Sequence, residues 1–258
     1  MRVSRRTIAK ALVAVFLVNL VVMGVGAYYS SQNVPPIPKE VVGPDGDTVV
    51  TKSQVQNGKI AFQRNGLMNH GSVLGNGAYY GVDYTADALE LKVRYMRQYY
   101  AEERYGQPYD ELAAADRASV DSVVRDDVDE SLTRGTETIR YSAAEVYAHQ
   151  RVREVYVERY HEGSAERGLP ANFVDSAADA RRFADFAMWT AWISHTDRPG
   201  SDHSFTNEWP YEPAAGNEPT GATMIWSVVS MVLLVAAVGI GVWLYNSVEL
   251  PEPEIRSI

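Results

Sequence analysis

Two uncharged apolar runs frame the chain. No residue between Lys10 and Lys39 carries a charge, and Ala11 to Ala27 is apolar apart from Asn19 and two glycines. Between Glu218 and Glu249 the charge is again zero, with Met224 to Tyr245 as the dense apolar stretch. About 20 such residues cross a bilayer core as a helix, so the pattern predicts spans at 11–29 and 222–245. The first run also fits a secretory signal, with Arg2, Arg5, Arg6 and Lys10 as a basic leader and small residues from Gly24 to Ala27. It is long against the ~7–15 apolar residues of a signal, which favours a retained anchor. Four basic residues before the run and none close behind it place residues 1–10 in the cytoplasm. Residues 30–221 then form an outer domain, and 246–258 a cytoplasmic tail. Tyr28, Tyr29, Trp226, Trp243 and Tyr245 stand where interfacial aromatics belong.

The pattern between the spans is mainly helical. Pro35, Pro36 and Pro38 predict an extended exit from the membrane. Val41-Val42 and Val49-Val50, around Gly43-Pro44-Asp45-Gly46, predict a short hairpin. A helix follows from Ser53 to Asn65 and stops at Gly66; five glycines from Gly66 to Gly81 then mark a shaped loop. Thr85 reads as the cap of a helix with Leu89, Val93, Met96 and Tyr100 on one face. Val120, Val124, Val128 and Leu132 line another helix. Ser142 and Glu145 make a capping box before Ala148, Val152, Val155 and Tyr156. The last helix of the domain runs from Ala177 to Ile193, with Phe186, Trp189 and Ile193 aligned. A Gly/Pro-rich stretch from Arg198 to Gly221 leads to the second span.

Composition narrows the class. The 258 residues carry a formal charge of −9 and no cysteine, which removes disulfides, cysteine-ligated zinc, iron–sulfur clusters, thiol catalysis and thioether-linked haem. Five basic and three acidic residues lie outside segment 30–221, so the outer domain holds −11. That balance argues against a nucleic-acid partner. Five lysines beside nineteen arginines, on an acid-rich chain, suit a high-salt setting, where screening tolerates self-repulsion.

Candidate chemistry is sparse. Glu158 and His161 have the Glu-x-x-His spacing of di-iron bundles, but only one copy exists, so a solvated helix face is expected. His195 and His203 share a loop with Asp197 and Asp202, a partial zinc set without a third histidine or a cysteine. Asp126, Asp127, Asp129 and Glu130 read as a solvated acidic face. Phosphate-binding, dinucleotide and nucleophile-elbow motifs are missing.

Several motifs in order carry a resemblance. The loop from Gly66 to Leu89, the aromatic stretch Phe186-Ala-Met-Trp-Thr-Ala-Trp192, and Ser204-Phe-Thr-Asn-Glu-Trp-Pro210 followed by Gly216-Asn-Glu-Pro-Thr220 resemble the N-terminal region of quinol-dependent nitric oxide reductases. The likeness covers all but the last ten or so residues. It implies a mainly α chain: two membrane helices flanking a helical, cytochrome c-like extracytoplasmic domain without haem c. Cytochrome c-dependent relatives carry Cys-x-x-Cys-His where this chain has Leu67-Met-Asn-His-Gly71, so His70 is expected to be structural.

The resemblance also implies a partner. In the family, a haem–copper-oxidase-like catalytic part holds haem b and non-haem iron and reduces two NO to N₂O with quinol electrons. Those ligands are not among these residues, so this chain is expected to be a non-catalytic anchor and outer domain that docks on that part, with membrane lipid around its spans. A Gly-Ala-Tyr stretch in the relatives reaches a calcium ion at the haem propionates; the matching positions are Gly77 and Tyr79. Calcium takes oxygen ligands, and glycine lets a backbone carbonyl come close. Phe183, Phe186, Trp189 and Trp192 are a candidate docking face, with core packing expected for at least half of them. The competing class is a two-span receptor with a ligand-binding ectodomain, although the thirteen residues after Tyr245 contain no output module.

Overall fold

The computed structural model describes residues 4–133, 137–198 and 200–247. The side chains of Glu130 and Leu132, and the acidic tail at 249–254, lie outside the described residues. The chain divides into two units, one made of both apolar helices and the other of Pro35–Thr220.

In the first unit, helix α1 (Arg5–Gln32) and the helix Gly221–Ser247 contain segments long and apolar enough to cross a membrane, Arg6–Gln32 and Met224–Ser247. Polar side chains within them turn back on their own backbone. Asn19 Nδ2 donates to the Val15 carbonyl at 2.9 Å and Ser230 Oγ to that of Trp226 at 2.7 Å. This is how a polar group is satisfied where water is scarce.

The second unit starts with the predicted hairpin. Strands β1 (Glu40–Val42) and β2 (Thr48–Thr51) pair antiparallel, with Val41 opposite Val50. A third strand, β3 (Thr138–Arg140), adds to β1 in parallel and was not expected from its three residues. Helix α2 (Lys52–Arg64) opens one residue before the predicted start, on a Thr51–Gln54 capping box. The short helix α3 (Leu67–His70) follows Gly66, whose φ of 67° ends α2. Helix α4 (Tyr84–Tyr105) is capped by Asp83, not by Thr85, which sits inside the first turn and is buried. Then come α5 (Ala114–Thr133), with Val120, Val124 and Val128 inward, α6 (Ala143–Val157), and α7 (Ala177–His195). Thus α4, α6 and α7 pack on one another, α2 lies on α7, and the sheet and α5 flank them.

An aromatic cluster fills this bundle. Tyr84 lies edge-on to Phe62, Tyr160 and Phe183 at 6.0, 5.9 and 4.9 Å between ring centres, and Tyr156 joins them through Tyr160 and Phe183. Such pairs add about 0.5–1.5 kcal/mol each beyond burial. The cluster claims Phe183 and Phe186 for the core, and Trp192 is buried as well. Trp189 is half-buried and donates its Nε1 hydrogen to the Pro36 carbonyl at 2.9 Å. The candidate docking face on α7 is therefore interior packing: these rings are needed to close the bundle.

Close approach at Gly58 fixes how α2 lies on α7. A β-carbon there would stand 2.0 Å from the Arg182 carbonyl oxygen, so only glycine fits. Beside the rings runs a buried charged chain. Lys92 Nζ lies 2.8 Å from Glu145 Oε1, and both side chains are 1% exposed. Glu145 is the capping-box residue, and its other oxygen accepts the Ser142 amide at 2.9 Å. Burial pushes the Glu145 carboxyl up, while the Lys92 ammonium beside it pulls the other way. His149 Nε2 and Arg153 Nε both meet Asp185 Oδ1, at 2.8 and 2.7 Å, and burial lowers His149 towards the neutral imidazole.

Removing one member of a buried ion pair leaves the other uncompensated, at a cost of about 3–5 kcal/mol. Lys92→Met is therefore expected to lower stability by that order in chemical unfolding. The double variant Lys92→Met/Glu145→Leu should recover most of the loss. Additive losses would show that the two residues do not act as a pair.

Candidate functional site

The loop between α3 and α4 is built from both ends. At its start, Leu67 is buried and its carbonyl accepts the Tyr84 hydroxyl at 3.2 Å. A β-carbon on Gly71 would stand 2.4 Å from the Tyr84 ring, so the ring and the glycine backbone are in direct contact. At its end, Asp83 uses both oxygens. Oδ1 accepts the Thr85 and Ala86 amides at 3.0 and 3.1 Å, which starts α4. Oδ2 accepts the Ser72 hydroxyl and the Gly75 amide at 2.7 and 2.8 Å, which holds the loop to that helix. Thr85 Oγ1 accepts the Leu74 amide at 2.9 Å and donates to Thr190 on α7 at 3.0 Å. The loop is thus tied to two helices by a cap residue and the threonine two positions after it.

A second loop is folded against the first. Glu208 and Ser204 exchange hydrogen bonds: the Ser204 amide donates to Glu208 Oε1 at 2.7 Å, and the Glu208 amide donates to Ser204 Oγ at 2.7 Å. Arg198 donates to the Asn207 side chain at 2.7 Å, and Asn217 Nδ2 donates to the Ser194 and Pro210 carbonyls, both at 3.1 Å. Asn207 and Glu208 take left-handed φ values of 52° and 57° to make this turn. It presents Trp209, whose Nε1 would lie 2.3 Å from a β-carbon on Gly75. The two sequence stretches that carry the family resemblance therefore meet at Gly75 and Trp209.

What the two loops show to solvent is aromatic. Tyr79 is 89% and Tyr80 79% exposed, set edge-on at 4.8 Å. Leu74, Trp209 and Tyr211 are also exposed. Gly77 has a φ of 78° and nothing within 4 Å of the β-carbon it lacks. Gly77 and Tyr79, the two residues expected to reach calcium, are both exposed. Among the described residues no group of three His, Asp or Glu is placed to hold a metal.

The other candidate residues go elsewhere. His70 is half-buried and packs on Phe173 at 5.2 Å, and its backbone lies against Gly81, a structural position. Glu158 and His161 fall in a π-helical turn, Glu158–Glu162, that follows α6. There His161 Nδ1 donates to the Val174 carbonyl at 3.0 Å. His195 is buried at the end of α7, held neutral by burial and by nearby Lys92, while His203 faces Asp202 and Glu208 at 3.7 Å. Asp126 and Asp129 are exposed, but Asp127 accepts the Tyr100 hydroxyl. The exposed patch had a sequence signal that composition masked: tyrosine and tryptophan inside glycine-rich loops have no helical face to pack on. The buried Lys92 had no such signal.

Losing the double role of Asp83 removes a helix cap, worth about 1 kcal/mol, and frees the loop as well. Asp83→Ala is expected to lower stability by about 1–2 kcal/mol and to open the 72–82 segment to limited proteolysis. A stability loss without new cleavage in that segment would mean that Asp83 is a cap alone.

The family model for the cytochrome c-like domain of NorB, a nitric oxide reductase component, matches residues 38–211. No curated protein matches the chain. The family match spans the hairpin, the bundle and both aromatic loops, and an apolar helix flanks it on each side. This chain belongs to the NorB family of nitric oxide reductases, as a membrane protein with the cytochrome c-like domain and flanking helices of the NorB N-terminal region.

Proposed function

We propose that the chain is the non-catalytic anchor and outer domain of a quinol-oxidising nitric oxide reductase. Its outer domain carries no haem c, and the paired aromatic loops dock on a catalytic part that bears haem b and non-haem iron. That part reduces two NO to N₂O with electrons from quinol. The N-terminus lies in the cytoplasm and the domain outside, from the four basic residues ahead of the first apolar run.

One observation carries the haem-free reading. In register with Cys-x-x-Cys-His, Leu67 and His70 stand at the cysteine positions and Gly71 at that of the haem-ligating histidine. The Tyr84 ring, anchored on the Leu67 carbonyl, lies where any side chain from Gly71 would have to pass. Five aromatic rings, Phe62, Tyr84, Tyr156, Tyr160 and Phe183, occupy the interior next to that motif. A domain of this family without haem c has no electron to relay, which fits direct oxidation of quinol by the partner.

Docking through the loops is supported by their exposure. Interfaces are enriched in tyrosine and tryptophan at buried centres, and this patch exposes Tyr79, Tyr80, Trp209 and Tyr211 on two loops whose bases are hydrogen-bonded in place. The Gly77 carbonyl and the Tyr79 side chain would supply their share of a calcium site shared with the partner. Calcium there would hold the two parts together.

The test is purification of the tagged chain from its native membranes in mild detergent. The expected result is co-purified haem b, NO consumption and no thioether-linked haem. Tyr79→Phe is expected to lower haem retention in the purified complex, and a calcium chelator to abolish the difference from the unmodified chain. A tagged chain that brings down no haem b overturns the proposal, and unchanged haem content in Tyr79→Phe removes Tyr79 from the calcium site.

A further inference from the structure

Three Asn-Gly pairs occur in the sequence: Asn57-Gly58, Asn65-Gly66 and Asn76-Gly77. An asparagine followed by glycine can lose its amide without an enzyme, because no side chain crowds the attacking backbone nitrogen. The reaction needs that nitrogen free of a hydrogen bond, and a backbone that can bend to bring it to the side-chain carbon. The fold treats the three pairs differently.

Asn57 lies inside α2, where backbone amides are committed to carbonyls four residues back. Gly58 is also wedged against the Arg182 carbonyl, so this backbone cannot bend without parting α2 from α7. Asn65 caps the same helix. Its Nδ2 donates to the Ala61 carbonyl at 2.8 Å, its Oδ1 accepts the Asp175 amide at 3.2 Å, and the Gly66 amide donates to the Gln63 carbonyl at 3.2 Å. Both partners of the reaction are held.

Asn76 is the contrast. Residues 74–80 are all exposed, and Gly77 has nothing within 4 Å of its missing β-carbon. Among the hydrogen bonds of the described residues the Gly77 amide donates to none. The Asn76 side chain makes one bond, Nδ2 to the Val73 carbonyl at 2.8 Å, and its backbone amide donates to the same carbonyl at 3.3 Å. Neither bond engages the nitrogen that attacks. The pins on this loop, Asp83 and Thr85, hold residues 72, 74 and 75 and stop short of Gly77.

We propose that Asn76 is a spontaneous deamidation site, left reactive by the same open loop tip that carries Tyr79 and Tyr80. The Gly77 nitrogen attacks the Asn76 side-chain carbonyl carbon; the N–C bond forms, the C–Nδ2 bond breaks, and ammonia leaves with the proton lost from the glycine nitrogen. Water then opens the cyclic imide at either carbonyl, giving aspartate or isoaspartate. Both products put a carboxylate beside Gly77, and isoaspartate also lengthens the main chain by a methylene. The loop thereby gains a negative charge, and an oxygen donor, at its exposed tip.

The test is incubation of the full chain in detergent at mildly alkaline pH, followed by peptide mapping with mass spectrometry and enzymatic detection of isoaspartate. In the folded protein Asn76 should convert at least about tenfold faster than Asn57 and Asn65, since those two react only through local opening. In denaturant the three should convert at rates within about twofold, because only the fold separates them. Equal rates in the folded protein, or faster conversion at Asn57 or Asn65, overturn the proposal. So does a difference of the same size that persists in denaturant, because it would then belong to neighbouring sequence and not to the structure.

Discussion

The contact between the Tyr84 ring and the backbone of Gly71 is the constraint on which the rest of the domain depends. It couples the interior to the surface. On one side the ring sits among Phe62, Tyr160 and Phe183 and so joins α2, α4, the π-helical turn and α7. On the other, its hydroxyl holds the Leu67 carbonyl and its ring defines the path of the chain leaving α3. Asp83 and Thr85, the residues on either side of Tyr84, then pin the loop that follows. A smaller ring at 84 would leave a cavity, and a larger residue at 71 would displace the loop. Both the closed interior and the placement of the exposed tyrosines rest on one packing choice.

That choice also explains how a cytochrome c-like fold can persist without cysteine. A haem is a large apolar body, and on the haem-free reading proposed above the domain must fill that volume by other means, because a cavity of that size would cost many kilocalories. Aromatic side chains are the economical filling, since each buries roughly 150–250 Å². The buried Lys92–Glu145 pair and the His149–Asp185–Arg153 group lie beside this filling, where α4, α6 and α7 meet. They add directional contacts to an interior that apolar packing alone would leave free to slide.

Much of this was legible in the sequence. The two apolar runs, the hairpin around Gly43-Pro44-Asp45-Gly46, the Ser142–Glu145 box and the helices of the bundle follow from period and caps, which are local properties. Three things were not legible. Thr85 looked like a cap because it precedes an apolar face, yet Asp83 outcompetes it by serving the helix and the loop together. Lys92 lies between Leu91 and Val93, and nothing local marks it as half of an ion pair; its partner, the capping-box Glu145, is 53 positions away in the numbering. For the α7 aromatics periodicity shows a stripe and not what covers it, so how many of the four rings face a partner is decided only by the burial of Phe183, Phe186 and Trp192. The exposed rings belong to loops, where periodicity has no meaning, and only the meeting of Gly75 with Trp209 reveals them as one patch.

Contact between that patch and a haem-bearing partner is the central claim. A photo-crosslinking residue at Tyr79, introduced into the full chain and activated in intact membranes, tests it directly, with the same residue at exposed Glu166 as the control. The expected result is a covalent adduct from position 79 that carries haem b, and none from position 166. Equal capture from both positions, or no haem-bearing adduct from position 79, would contradict it.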